Sequence, residues 1–196
     1  SADSAEVLIK GVSIHPGEAK NEMVNAIHLA SEIINNLPLK TMTPEVTENR
    51  EGFIHATDMI GNSSEMRIKF ILRDFELKGL DEKKEILEEI CNKIQATEPR
   101  AKINILFNRQ YRNMRYWLDE NRKPLEIAEK ALYNKSIQPI KKPIRGGTDG
   151  SLLTEKGVPT PNIFTGMQNV HGPLEWVSAS DMALATEVML EIIKLN

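Results

Sequence analysis

His171 lies within Gly166-Met167-Gln168-Asn169-Val170-His171-Gly172-Pro173-Leu174-Glu175-Trp176, a stretch without helical or strand periodicity. A histidine on a loop can turn into a cleft, and neutral imidazole is the commonest protein metal ligand. A surface histidine would have the same local sequence. One imidazole makes no metal site, because zinc takes three or four protein ligands. The chain contains no His-x-Asp, His-Glu-x-x-His or Cys-x-x-Cys to supply the others. His15 is followed by Pro16-Gly17. A Pro-Gly turn gives the ring a fixed base from which to donate to a developing oxyanion, although a turn histidine can equally be idle. Arg145-Gly146-Gly147-Thr148-Asp149-Gly150 lacks the spacing and lysine of a phosphate loop and the third glycine of a dinucleotide turn. An arginine at the head of such a bend suits a carboxylate, which its guanidinium grips with two parallel bonds. The same bend also serves as a plain helix start capped by Thr148 or Asp149. Glu88-Glu89 has the composition of a base and a metal ligand side by side. It falls inside a helical pattern beside Lys83, Lys84 and Lys93, which reads as a solvated helix face. His28 in a helix and His55 on a strand read as ordinary packing or surface positions.

The elements that must position these groups follow from hydrophobic period. Val7 to Ile14 is β-branched and closes at His15-Pro16-Gly17, so it reads as a strand and a turn. Met23, Ile27, Ala30 and Ile34, with Val24 and Ile33, recur at helical spacing up to Leu37-Pro38. Thr41 to Gly52 has no period and reads as a loop. Phe53 to Ile60 and Met66 to Phe75 are predicted strands joined by Gly61-Asn62-Ser63-Ser64 as a hairpin. Met66, Ile68, Phe70 and Leu72 should line its buried face. A helix opening at Leu80 with Asp81 and Glu82 in its first turn carries an Ile86, Leu87, Ile90, Ile94 stripe. Ala101 to Phe107 is the fourth strand. The order strand, helix, strand, strand, helix, strand is the split β-α-β pattern: a four-stranded antiparallel sheet with two helices on one face, an α+β fold.

Beyond Arg115 the texture changes. A helix over Pro124 to Tyr133, an extended piece over Ile137 to Ile144, a short helix from Ser151 to Lys156, a short strand from Pro161 to Phe164 and a closing helix from Ser180 to Leu195 are predicted. Two strands are too few for a free-standing sheet, so this lobe reads as an incomplete α/β domain. The expected division is 1–115 and 116–196.

Composition bounds the function. The chain has 196 residues, 40% hydrophobic and 27% charged, which supports a packed core. A net charge of −3 with mixed signs leaves no electrostatic footprint for nucleic acid. No apolar run approaches the roughly 20 residues that span a bilayer. A single cysteine, Cys91, forms no internal disulfide and fits a reducing, cytoplasmic compartment. The start at Ser1, with an apolar run already under way by Val7, reads as a cut inside a longer protein.

Three segments taken together resemble a known family. Val12-Ser13-Ile14-His15-Pro16-Gly17-Glu18-Ala19-Lys20, Pro143-Ile144-Arg145-Gly146-Gly147-Thr148-Asp149-Gly150, and Pro161-Asn162-Ile163-Phe164-Thr165-Gly166 with Asn169-Val170-His171-Gly172 are similar in order and spacing to the tripeptide aminopeptidase (peptidase T) branch of the two-zinc metallopeptidases, which also include aminoacylase-like and carboxypeptidase-like enzymes. Tyr111-Arg112-Asn113-Met114-Arg115 and Arg73-Asp74-Phe75 extend the likeness. The resemblance implies a lid, residues 1 to about 115, followed by the last part of a zinc-binding catalytic domain. It places His171 on a zinc ligand, Arg145 on the arginine that holds a substrate carboxylate, and His15 on a lid histidine that steadies the tetrahedral intermediate, often across a dimer. Arg73 and Asn113 fall in lid segments facing the substrate. It further implies two zinc ions, a tripeptide substrate, a homodimer formed through the lid, and an inactive fragment, because the remaining ligands and the glutamate base precede the lid. The alternative is a non-catalytic dimerisation module in which His171 and Arg145 are idle.

Overall fold

The computed structural model describes residues 1–196. The chain divides into two units, Ser1–Tyr111 and Arg112–Asn196. In the first, β1 (Ala2–Lys10) is followed by α1 (Ala26–Asn36), β2 (Phe53–Gly61), β3 (Glu65–Arg73), α2 (Leu77–Thr97) and β4 (Lys102–Tyr111). The strands form one antiparallel sheet in the order β2-β3-β1-β4. The split β-α-β arrangement read from the sequence is the observed one.

Strand residues at alternate positions build the core. Ala5, Val7 and Ile9 of β1 and Met66, Ile68, Phe70 and Leu72 of β3 are buried against Leu29, Ile33, Leu87, Ile90 and Ile94 of the two helices. The opposite face carries ion pairs such as Glu6–Arg67 at 2.9 Å. This in-out alternation is what an antiparallel sheet covered on one side requires.

Several boundaries differ from the sequence reading. β1 begins at Ala2, not Val7, because residues 2–6 pair with β3 on one side and β4 on the other. Backbone pairing extends the strand past its apolar stretch. In α1 the buried residues are Ala26, Leu29, Ala30 and Ile33, whereas Met23 precedes the helix and Ile27 is exposed. Of the predicted stripe, Val24, Ala30 and Ile33 are buried and Ile34 packs against the core; the helix starts after the Asn25 cap, and Ala26 and Leu29 complete its buried face. α2 starts at Leu77 with no acid in its first turn. Lys83, expected on a solvated face, is buried and bonded to Asp74 at 2.6 Å. It sits three residues after Leu80 and four before Leu87, in phase with the buried stripe. Glu88 and Glu89 are exposed, as expected of a solvated face.

The second unit comprises α3 (Arg115–Leu118), α4 (Lys123–Asn134), α5 (Asp149–Glu155) and α6 (Ala179–Leu195). α4 and α6 pack together, and Ala128, Ala131, Ala185 and Val188 are their buried residues. The predicted strand at Pro161–Phe164 and the extended piece at Ile137–Ile144 form no ladder. A strand exists only where another strand satisfies its backbone groups, and this unit contains none. The incomplete α/β lobe is thus observed as four helices joined by loops. No helix is long and apolar enough to cross a membrane.

Cys91 lies in the core, where burial pushes its thiol from 9.0 up to about 11, with Glu88 adding to the shift. A folded pKa above the unfolded one contributes stability that is present below pH 9.0 and lost as pH rises through about 11. The native chain at about pH 8 should therefore resist alkylation by iodoacetamide, while chain unfolded in guanidinium should react at its single thiol. Equal rates in the two states would contradict the buried placement.

Candidate active site

His15 stands on a loop between β1 and α1 that backbone bonds close at its base. Val12 and Val24 exchange N–H···O bonds of 2.9 and 3.0 Å. The amides of Gly11 and Ala26 donate to the Ser64 and Ser63 carbonyls of the β2–β3 hairpin at 2.8 and 2.9 Å. A side chain on Gly11 would collide with the Val24 carbonyl oxygen, so only glycine fits this approach. Arg100 pins the far limb by donating to the carbonyls of Asn21 and Glu22 at 2.9 and 3.3 Å. At the tip, Pro16–Glu18 forms a single 3-10 turn with His15 at its N-cap. The Gly17 amide donates to Nδ1 of His15 at 3.2 Å, and the histidine itself is exposed.

Arg73 belongs to the other end of the sheet. It pairs with Ala2 and Phe53, whereas His15 follows the end marked by Lys10 and Glu65. Nine residues of strand at about 3.3 Å each separate those ends by roughly 26 Å. The Arg73 guanidinium lies over the Phe53 ring at 5.7 Å. Burial pushes the Tyr111 phenol upward, and the nearby Arg73 charge partly offsets this. Asp74, the next residue, accepts Lys83 at 2.6 Å and the Glu76 amide at 2.9 Å. A side chain at Gly52 or Gly79 would collide with the Asp74 carboxylate. This end of the sheet is therefore held by a buried ion pair. The sequence signals for it were the in-phase Lys83 and the Gly79 four residues before it.

Asn113, Arg145 and His171 lie in the second unit. The Asn113 side-chain oxygen accepts the Arg115 amide at 3.1 Å, so part of its bonding capacity serves the start of α3. Arg145 is half-buried in the bend that leads into α5. Thr148 takes the N-cap position of α5, but its hydroxyl makes no cap bond and is buried without a hydrogen-bond partner. Gly150 sets the bend against the Thr160–Asn162 segment: a Cβ there would stand 2.6 Å from the Thr160 carbonyl oxygen. The buried Thr154 hydroxyl accepts the Thr160 amide at 2.9 Å, tying the same two segments together.

His171 occupies the tip of a loop closed by a Gln168–Trp176 bridge. Its φ is +63°, and that of Asn169 is +52°. Left-handed backbone at a non-glycine residue costs free energy and clusters at sites where geometry matters. The His171 amide donates to a Glu175 carboxylate oxygen at 2.6 Å, which holds the strained residue in place and leaves the exposed imidazole out of that bond. Glu175 was not among the residues read as functional; its place four residues after His171 was the available signal.

No group of three or more His, Cys, Asp or Glu residues that could hold a metal ion occurs in the structure. The residues present do not constitute a metal centre, and His171 is a ligand only if further donors join it.

Residues 1–102 match the family model described as a peptidase dimerisation domain, which covers half of the chain. The chain belongs to the peptidase dimerisation domain family. Its dimerisation domain is the β-α-β-β-α-β unit described above. Peptidase T of Bacillus pumilus is 42% identical over 195 residues, covering 100% of this chain and 47% of the relative. The structure of a Staphylococcus aureus tripeptidase matches with a TM-score of 0.76 at 20% identity, covering 99% of this chain and 51% of that one. A Bacillus subtilis dinuclear metal binding peptidase matches at 0.59 and 19% identity, covering 100% and 50%. The fold is thus shared with about half of each of these solved chains, and the chain spans about half the length of the curated relatives it matches.

Replacing Gly11 with alanine should strain the base of the His15 loop and lower stability by about 1–3 kcal/mol, read as a reduced denaturant midpoint. An unchanged midpoint would mean that the Val24 carbonyl moves aside freely.

Proposed function

We propose that this chain is the lid and the C-terminal catalytic segment of a zinc-dependent tripeptide aminopeptidase that removes the N-terminal residue of tripeptides in the cytoplasm as a lid-paired homodimer. The observation that carries the reading is the 42% identity to peptidase T along the whole chain. The loop placement of His15, Arg145 and His171 supports it. In this reading residues 116–196 belong to the catalytic domain, and the two zinc ions supply activated water when ligands from outside this chain complete the centre. His171 is the ligand this chain provides, presented by the Glu175-held loop. Arg145 grips the peptide C-terminal carboxylate with its fork, which fixes the register of a three-residue substrate. His15 donates to the oxygen that becomes negative as the carbonyl turns tetrahedral.

The distance along the sheet favours action across a dimer. An extended tripeptide spans about 10 Å, far less than the roughly 26 Å between the sheet ends that carry His15 and Arg73. One lid does not bring both residues to one tripeptide, so His15 serves the site of a second chain. Arg73 and Asn113 are further substrate contacts in this reading. The dimerisation-domain match over residues 1–102 is the observation that favours the second reading, a pairing module without catalysis.

Turnover separates the two. The full-length protein loaded with zinc should release the N-terminal residue from tripeptides; a metal-loaded protein that releases none is a pairing module. Arg145→Ala should lower kcat/KM on free-acid tripeptides by roughly 100-fold while leaving amidated ones within about threefold, since only the former engage the fork. His171→Ala should lower metal content per chain, measured by atomic absorption, and unchanged occupancy would remove it from the ligand set.

A further inference from the structure

One hydrogen bond at the His15 tip decides which ring nitrogen carries the proton. The Gly17 amide donates to Nδ1 at 3.2 Å. A backbone N–H can only donate, so Nδ1 must offer a lone pair. A proton on Nδ1 would set two donors face to face. The neutral ring therefore carries its proton on Nε2. The chain builds this bond in: Pro16, at the first position of the turn, has no N–H, which leaves Gly17 as the first amide able to turn back on the cap residue. A methyl group on Gly17 would already stand 3.3 Å from Cε1 and Nδ1, so the ring is seated directly on this residue.

We propose that the Gly17 amide is a positioning group that holds His15 in the Nε2–H tautomer, so that Nε2 presents a proton, not a lone pair, to the substrate oxygen that gains negative charge. This rests on the reading of His15 as the oxyanion donor. The opposite tautomer would turn a lone pair toward that oxygen and repel it. Holding the ring before substrate arrives also removes the cost of choosing a tautomer during the reaction.

The tautomer is read directly by long-range 1H–15N correlation on the 196-residue chain carrying 15N-histidine, at about pH 8, where imidazole is ordinarily neutral. The His15→Gln chain identifies the His15 signals among the four histidines. The expected spectrum has a protonated-type Nε2 and an unprotonated-type Nδ1. A protonated Nδ1, or averaging between the two tautomers, overturns the proposal. A second arm uses the full-length enzyme. Glutamine sets its amide nitrogen near the Nε2 position and asparagine near Nδ1, so His15→Gln should retain at least about 10-fold more kcat than His15→Asn at similar KM. An asparagine variant as fast as the glutamine one also overturns it. Full activity in His15→Ala would instead remove the oxyanion role of His15, and the spectrum would still report whether Gly17 sets the tautomer.

Discussion

The pairing of β1 on both of its edges is the constraint on which the first unit depends. β1 lies between β3 and β4, and every residue from Ala2 to Lys10 has a partner on each side. Its inward side chains, Ala5, Val7 and Ile9, belong to the same core cluster as the buried residues of both helices. A one-residue slip would turn that set toward solvent, so register and core specify each other. The same pairing brings the first residues of the chain beside the end of β4, because Ala2 pairs with Tyr111. The first residue of β1 and the last of β4 therefore share one sheet end, the end that also holds Arg73 and the Lys83–Asp74 pair.

The opposite sheet end is built differently. There the chain leaves β1, makes a closed excursion and returns as α1, held by backbone hydrogen bonds and by Val24, which is buried in the core. Gly11 permits the close crossing, the valine pair shuts the base, and Arg100 ties down the far limb. Burial and ion pairing stabilise one end, whereas backbone hydrogen bonds shape the other. The second kind of support leaves the His15 ring exposed while the Gly17 amide orients it, whereas a ring packed into the core would be rigid but unreachable.

The second unit uses similar means at His171. A left-handed residue at a loop tip is unfavourable in isolation, and the Glu175 carboxylate offsets part of that cost by accepting the His171 amide. At Arg145 the bend is set by Gly150 pressed against Thr160, with Thr154 bonding across the same contact. At His15 and His171 a backbone amide fixes the loop tip, by donating to Nδ1 of His15 in one and to the Glu175 carboxylate in the other.

The sequence by itself determined the order of elements in the first unit, the β3 burial alternation and the three loop segments, because these depend on local period and on turn-forming residues. It also carried the family likeness, which resides in short stretches such as His15-Pro16-Gly17. It misplaced Ile27 of α1, the start of α2 and the burial of Lys83, because those depend on which side of a helix meets the sheet. It assigned a strand to Pro161–Phe164 that has no ladder, since a strand's identity lies in its neighbour. Only the tertiary structure decided that His15 and Arg73 occupy opposite ends of one sheet, that Glu175 supports His171, and that Nδ1 of His15 faces the Gly17 amide. Each of these is set by how the backbone returns on itself in space, a property that side-chain types along a line do not encode.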